Sequence, residues 1–362
     1  MTTVEAIRVD AYTFPTPSPE SDGTMTWNST TAVTVTAEAQ GISGLGWSYT
    51  SPATAHLITG KLADVVRGRD VRDVPGAWEA MVRACRNLGR PGIVSQAVAA
   101  VDIALWDLKA KLLQVPLHGL FGRARDTVAV YGSGGFTSMS DDELREQVDG
   151  WLAAGCAAVK IKVGESRGTA LARDIQRVTL LRDLVGPDVA LMVDANGGYT
   201  PGQAIRMGRA YDDLGVIWFE EPLSSDDLTG LSRLRGNLRC DVAAGEYADS
   251  AIYVQRMITA GAVDCIQVDV TRCAGYTEWL RCAAIAAAHN LDISAHCAPS
   301  LHASVAAAVP NLRHVEWFAD HARLEPLLVD GLPSVSGGAL HLTDGPGHGM
   351  TLRADAERWQ VT

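Results

Sequence analysis

Two lysines, five acids and one histidine are the residues whose types and spacing could do chemistry in this chain. Lys160 and Lys162 stand in Val-Lys-Ile-Lys-Val, Val159 to Val163. The apolar residues between the charges predict a buried strand. Side chains alternate along a strand, so the two ammonium groups point the same way. Their repulsion is expected to lower the pKa of at least one, so that a neutral amine can act as a base near neutral pH. Taken alone, the motif is weak and reads more readily as two solvated lysines at an exposed strand end. Asp194, Glu220, Glu246, Asp269, His296 and Glu316 then follow, each at or just past the end of another short apolar run.

Each has an ordinary reading. Asp194 before Ala-Asn-Gly could cap a helix, Glu220 with Glu221 could be a solvated pair, and His296 could be a satisfied core histidine. Recurrence at seven successive strand ends favours the joint reading. Asp194, Glu220 and Glu246 on adjacent strands would repel one another without a cation. Carboxylate oxygens suit Mg2+, with Mn2+ as a second possibility, and Mg2+ leaves positions open for substrate. Asp269 and His296 are expected to be neighbours, the carboxylate fixing the imidazole tautomer. Lys162 and His296 are expected to face each other across the mouth. Glu316, if protonated, could donate a hydrogen bond to a substrate oxygen.

These residues need elements to hold them. Eight apolar runs begin at Val128: Val128–Tyr131, Ala158–Val163, Ala190–Val193, Val216–Phe219, Asp241–Ala244, Cys265–Val268, Leu291–Ala295 and Arg313–Val315. Helical stretches alternate with them, including Thr200–Leu214, Ser250–Ala260 and Gly275–His289. Repeated βα units predict an α/β fold, a closed (β/α)8-type TIM barrel whose strand ends form the active-site mouth. Ahead of it, Val4–Tyr12, Ala32–Ala39 and Gly41–Trp47 predict a small antiparallel meander, with Thr13–Thr30 as a long loop. Helices are predicted over Pro52–Val66, Val74–Leu88 and Ile93–Leu112, the last stopped by Pro116. The division expected is an α+β capping domain over 1–125, a barrel over 126–335, and a segment over 336–362 returning to the cap.

The full set resembles the enolase superfamily, mandelate racemase subgroup. The matching residues are Lys160-Ile-Lys162, Val-Asp194-Ala-Asn, Trp-Phe-Glu220-Glu-Pro, Ala-Gly-Glu246, Val-Asp269-Val-Thr-Arg, Ala-His296 and His-Val-Glu316-Trp. The resemblance covers nearly the whole chain. It implies a Mg2+-bound carboxylate substrate whose α-proton is removed to give an enediolate. It also implies Lys162 as one base, with Lys160 lowering its pKa, and His296 oriented by Asp269 as the other, on the opposite face of the α-carbon. Dehydration of an acid sugar is the first expectation. Racemisation, epimerisation or cycloisomerisation is the second, and a non-catalytic metal- and carboxylate-binding barrel the third.

The cover of the site is expected from Thr13–Thr30 and Trp47–Thr54, which hold no Lys or Arg. Trp27, Asn28, Trp47 and Tyr49 there, with Asn196 from the barrel, are the expected substrate contacts. Aromatic faces with scattered hydroxyls suit a neutral polyol, so an aldonate or anhydro-aldonate is expected over an aldarate. Arg167 or Arg272 could supply a cation from a barrel loop.

The net charge of -11 argues against nucleic acid or an anionic membrane as partner. The expected partner is a small-molecule carboxylate, and a homo-oligomer is the expected assembly. The seven cysteines contain no Cys-x-x-Cys pair and read as reduced thiols of a cytoplasmic protein. The first residues carry no apolar run of a signal peptide, and no apolar run is long enough to span a membrane.

Overall fold

The computed structural model describes residues 2–361. Its N-terminal third is a meander of β1 (Ala6–Ser21), β2 (Thr26–Ala39) and β3 (Ile42–Tyr49), backed by helices. The helix Ile93–Leu112 has the predicted bounds and lies against β3. Gly44 and Gly46 permit that approach, because a Cβ on either would run into the helix backbone at Ala100, Ala104 or Leu108. The predicted helix over Pro52–Val66 is present but includes a π turn at Ile58–Leu62. That over Val74–Leu88 ends as an α-helix at Ala84.

One prediction fails here. Thr13–Thr30 is not a loop but the outer arms of a long hairpin, paired from Ala6↔Glu38 through Pro15↔Ser29 and again at Glu20↔Trp27. Pro15, Pro17 and Pro19 read as breakers in sequence. They are tolerated because β1 has a second strand partner only at Ala11 and Tyr12, so the rest of it is an edge that can spare N–H groups. The β-branched Thr30, Thr31, Thr34 and Thr36 suit the facing strand.

Eight parallel strands follow: β4 (Thr127–Gly134), β5 (Ala158–Lys162), β6 (Ala190–Asp194), β7 (Val216–Glu220), β8 (Asp241–Ala244), β9 (Cys265–Val268), β10 (Asp292–Ala295) and β11 (Leu312–Phe318). Neighbours pair in sequence order, and β11 closes on β4 through Val315↔Val130 and Glu316↔Tyr131. The register sets Lys162 beside Asp194 and Asp194 beside Glu220. Most residues of these strands are buried, which is why they read as short apolar segments, although Ile217 and the start of β4 are exposed.

The last segment serves both units. A short pair, β12 (Val329–Asp330) with β15 (Thr351–Leu352), brackets a hairpin of β13 (Ser334–Ser336) and β14 (Ala339–His341). That hairpin pairs antiparallel with the start of β4, while β16 (Gln360–Val361) adds to β1 of the meander. All seven cysteines are buried and free of disulfides. No helix among the described residues is long and apolar enough to cross a membrane.

Candidate active site

Seven barrel strands deliver their terminal polar residues to one place. Lys160 is fully buried, with Nζ 2.6 Å from Glu220 Oε2 and 2.8 Å from Glu316 Oε1. Lys162 Nζ donates to Asp194 Oδ2 at 2.5 Å. Oxygens of Asp194, Glu220 and Glu246 lie within 4.8 Å of one another. Glu246 Oε1 accepts from Arg272 Nη1 at 2.8 Å. His296 Nδ1 is 2.9 Å from Asp269 Oδ2, and Asp269 Oδ1 accepts from the Thr271 N–H and hydroxyl, both at 2.7 Å. Asp269 is thereby oriented, and through it the imidazole. Lys162, Glu246, His296 and Asn196 line a single cavity of about 280 Å³ between barrel and cap.

The residues fit a divalent cation on evidence internal to the structure. Glu220 Oε1 and Glu246 Oε2 are buried oxygens without a hydrogen-bond partner among the described residues. Unpaired buried carboxylate oxygens are costly, and a metal ion is what such oxygens accept. Their other oxygens are committed, to Lys160 and Arg272, so these atoms are the ones left for a ligand, with His296 Nε2 3.4 Å from that of Glu246.

Two expectations about protonation are corrected. The lysine pKa values move up, not down. Burial is the largest influence and would lower the ammonium pKa of Lys162, as would Lys160, but the carboxylates of Asp194, Glu316 and Glu220 together outweigh both. Lys160 is raised in the same way: burial opposes its charge, and Glu220, Glu316 and Asp194 overcome that. Along the strand itself each lysine has only a positive neighbour, and the carboxylates that decide the balance come from other strands. Glu316 is likewise not poised to donate. Burial works to raise its pKa, but Lys160 and then His296 hold it well below the carboxylate range. Its oxygens accept from Ser133 Oγ at 2.6 Å and from the Cys297 N–H at 3.0 Å. For His296, burial disfavours the imidazolium, yet Glu246 and Glu316 raise its pKa above the usual value.

The expected substrate contacts divide. Trp27, Tyr49 and Asn196 line the cavity. Asn196 adds a buried side-chain Oδ1 with no partner among the described residues, on a backbone at φ +44° whose N–H donates to Asp194 Oδ1. Asn28 does not line it, because strand alternation turns it outward between Trp27 and Ser29. Trp47 does not either. It shares a face with Tyr49 but sits two residues deeper, fully buried and edge-on to His348. Of the two arginines, Arg272 lines the cavity and Arg167 does not.

Several residues at the site went unread in the sequence. Glu221 is buried, not solvated, on a backbone at φ +37°, and burial followed by Glu246 and Asp194 raises its carboxyl pKa well above normal. The Glu-Glu-Pro turn was its only signal. Cys297 places Sγ 3.3 Å from His296 Nε2. Asp320 and His321 come from the helix Ala319–Leu328, outside any strand end.

A closed parallel barrel with basic and acidic strand ends facing a cation nest, under an α+β cap, defines the class: enzymes of the enolase superfamily, mandelate racemase subgroup. Residues 3–122 match the N-terminal domain model of mandelate racemase / muconate lactonizing enzyme, and residues 143–356 match the enolase C-terminal domain-like model. The chain belongs to the mandelate racemase / muconate lactonizing enzyme family. It is 35% identical over 326 residues to the L-talarate/galactarate dehydratase of Salmonella typhimurium, covering 88% of this chain and 79% of that one. The crystal structure of that dehydratase with Mg and L-lyxarohydroxamate superposes with a TM-score of 0.92 at 30% identity, covering 100% and 93% of the two chains. The 3,6-anhydro-alpha-L-galactonate cycloisomerase of Streptomyces coelicolor is 34% identical across 98% of each chain. A mandelate racemase/muconate lactonizing enzyme-like protein of Rubrobacter xylanophilus has a TM-score of 0.95 and 44% identity, covering 99% of this chain and 100% of that one.

Proposed function

We propose that this enzyme removes the α-proton of an acid sugar and eliminates its β-hydroxyl as water. The observation that carries the reading is the pair of unpartnered oxygens on Glu220 and Glu246, in a three-carboxylate nest that shares its cavity with Lys162 and His296. Mg2+, or alternatively Mn2+, bound by Asp194, Glu220 and Glu246 would stabilise the negative charge that develops on the substrate carboxylate. With the Asp194 carboxylate committed to the cation, Lys162 would lose the partner that raises its pKa, release its proton to solvent and, as the neutral amine, take the α-proton. The electron pair left on the α-carbon forms the carbon–carbon double bond as the β C–O bond breaks. His296, as imidazolium, protonates the departing hydroxyl, and the enol product tautomerises to a keto acid. Asp269 orients His296. Lys160 and Glu316 act as a buried charge pair beneath the two bases.

The substrate favoured is a mono-acid with a neutral tail. Asp22 and Asp320 stand at the cavity, and Glu20 accepts from Trp27 Nε1 at 3.0 Å. The cation of that wall, Arg323, is already paired with Glu20 and Asp320. A second carboxylate there would meet acids and no free cation. The relative named for talarate and galactarate acts on diacids, which makes the contrast testable. Keto-acid product from matched aldonates and aldarates, assayed with Mg2+, tests both levels. A tenfold or greater preference for diacids, about 1.4 kcal/mol, contradicts the tail assignment, and α-proton exchange without water loss contradicts dehydration. Exchange without loss would favour racemisation, epimerisation or cycloisomerisation, to which the cycloisomerase relative lends support. No exchange with any carboxylate would favour a binding protein.

We further propose three units: a cap over 1–125, the barrel over 126–335, and a closing segment over 336–362. A homo-oligomer without nucleic-acid or membrane partners completes the reading, and the free cysteines support a reducing, cytoplasmic setting.

A further inference from the structure

One polar group at the cavity wall is used by neither the cation nest nor the two bases. His321 is 6% exposed and lines the cavity. Its Nδ1 accepts from the backbone N–H of Ala298 at 3.0 Å, so in the neutral ring the proton sits on Nε2. The ring stays neutral, because burial pushes its pKa down to about 3. Its plane is fixed by Tyr49, stacked at 3.6 Å and 24°, and by Phe318, edge-on at 5.4 Å. Tyr49 is itself tied, donating its hydroxyl to Glu325 Oε1 at 3.1 Å. Among the described residues no protein acceptor pairs with Nε2–H. An oriented donor at a cavity wall with no protein acceptor is open to solvent or to the acceptor of a bound ligand.

We propose that His321 is a specificity-determining residue whose Nε2–H donates to a hydroxyl oxygen of the substrate's polyol chain, on the Tyr49 side of the cavity. This rests on the acid-sugar reading above. A neutral oxygen fits better than a carboxylate, because the imidazole brings no charge and Asp320 stands next to it on the same wall. Thr30, Thr31 and Thr50 line the cavity too and supply further hydroxyls. The donor replaces part of the hydration a hydroxyl loses on entry, whereas a methyl group in its place leaves the N–H unpaired.

Two substitutions separate the ring's two nitrogens. His321→Asn keeps an oxygen where Nδ1 accepts from Ala298 and removes the donor. His321→Gln carries an amide N–H out towards the Nε2 position and removes the acceptor. The probes are aldonate pairs differing by one distal hydroxyl, such as D-galactonate with D-fuconate and L-mannonate with L-rhamnonate, together with their penultimate-deoxy counterparts. Binding is read by calorimetry and kcat/KM by α-proton exchange. Wild-type protein should prefer the hydroxylated member of at least one pair by about tenfold or more. His321→Asn should bring that ratio within about twofold, the loss falling mainly on the hydroxylated member, and His321→Gln should fall between. No preference in any pair by the wild-type protein, or a wild-type ratio kept by His321→Asn, overturns the inference and leaves the enzyme assignment standing. Wild-type protein that neither binds nor exchanges any of these acids overturns both.

Discussion

The cavity has two walls of different make. The barrel wall is charged, its lysines, Arg272 and carboxylates paired with one another at 2.5–2.8 Å. The opposite wall is aromatic and hydroxylated, its one arginine, Arg323, paired with both Glu20 and Asp320, so that it keeps an acidic excess and no free cation among the described residues. Charge is concentrated where bonds would break, and the other wall offers shape and neutral hydrogen bonds. Chemistry can therefore be held constant while the cap sets which tail enters, a division common to barrels whose sites are built on loops around fixed strand ends.

The sharpest way to break this division is to disarm the barrel wall alone. Asp194→Asn, Glu220→Gln or Glu246→Gln should each weaken Mg2+ binding and cut turnover by about 10³-fold or more, as read by calorimetry and product formation. Retained activity in metal-stripped protein would contradict the nest.

The cap wall should respond differently. At the hairpin tip, a Cβ on Gly23 would lie 2.6 Å from the Ala195 carbonyl and 2.7 Å from that of Val163. Gly23→Ala should lift the tip from the barrel and lower kcat/KM by about tenfold, with Mg2+ affinity unchanged. Loss of metal binding in this variant would show that the walls are not separable.

A smaller effect separates two tryptophans of the cap. Trp47 is fully buried and its Nε1 has no partner among the described residues. Trp47→Phe should cost about 1–3 kcal/mol of stability and spare KM. Trp27→Phe should spare stability and raise KM, because Trp27 borders the cavity. Chemical denaturation and steady-state kinetics distinguish the two.

The smallest effect lies behind the cap wall. Burial raises the Glu325 carboxyl to about 7, despite hydrogen bonds from Ser300 and Tyr49. A raised carboxyl pKa means the folded state holds the proton more tightly. Its stability contribution is full below the unfolded value near about 4.3 and is lost as pH rises through about 7. Between pH 5 and 8 the stability of wild type relative to Glu325→Gln should therefore fall, by about 1–3 kcal/mol.

The same two walls explain what was legible in the sequence. Each barrel residue ended an apolar run, so its type, strand and direction could be read together. The strand order then placed Lys162 beside Asp194 and Asp269 beside His296. The charge balance was not legible, because the pKa of Lys162 depends on a carboxylate one strand away. On the cap wall the prolines of β1 concealed a strand. Adjacent Trp27 and Asn28 could not be assigned faces without the register, and Trp47 could not be told from Tyr49 without knowing how far the cavity reaches. His321 carried no signal, since its role depends on a bond to Ala298 and a stack on Tyr49 from another domain.

Central to the proposed reaction are Lys162 and His296 on opposite faces of one α-carbon, the residue that is the base for one epimer being the acid for the other. Deuterium incorporation at that carbon, followed by proton NMR in deuterated buffer with Mg2+, tests it most directly. Both epimers of an acid sugar should be compared in Lys162→Ala and His296→Ala protein. Each variant should lose exchange with one epimer and keep it with the other. Loss with both epimers in both variants, each still folded and binding Mg2+, would contradict the account.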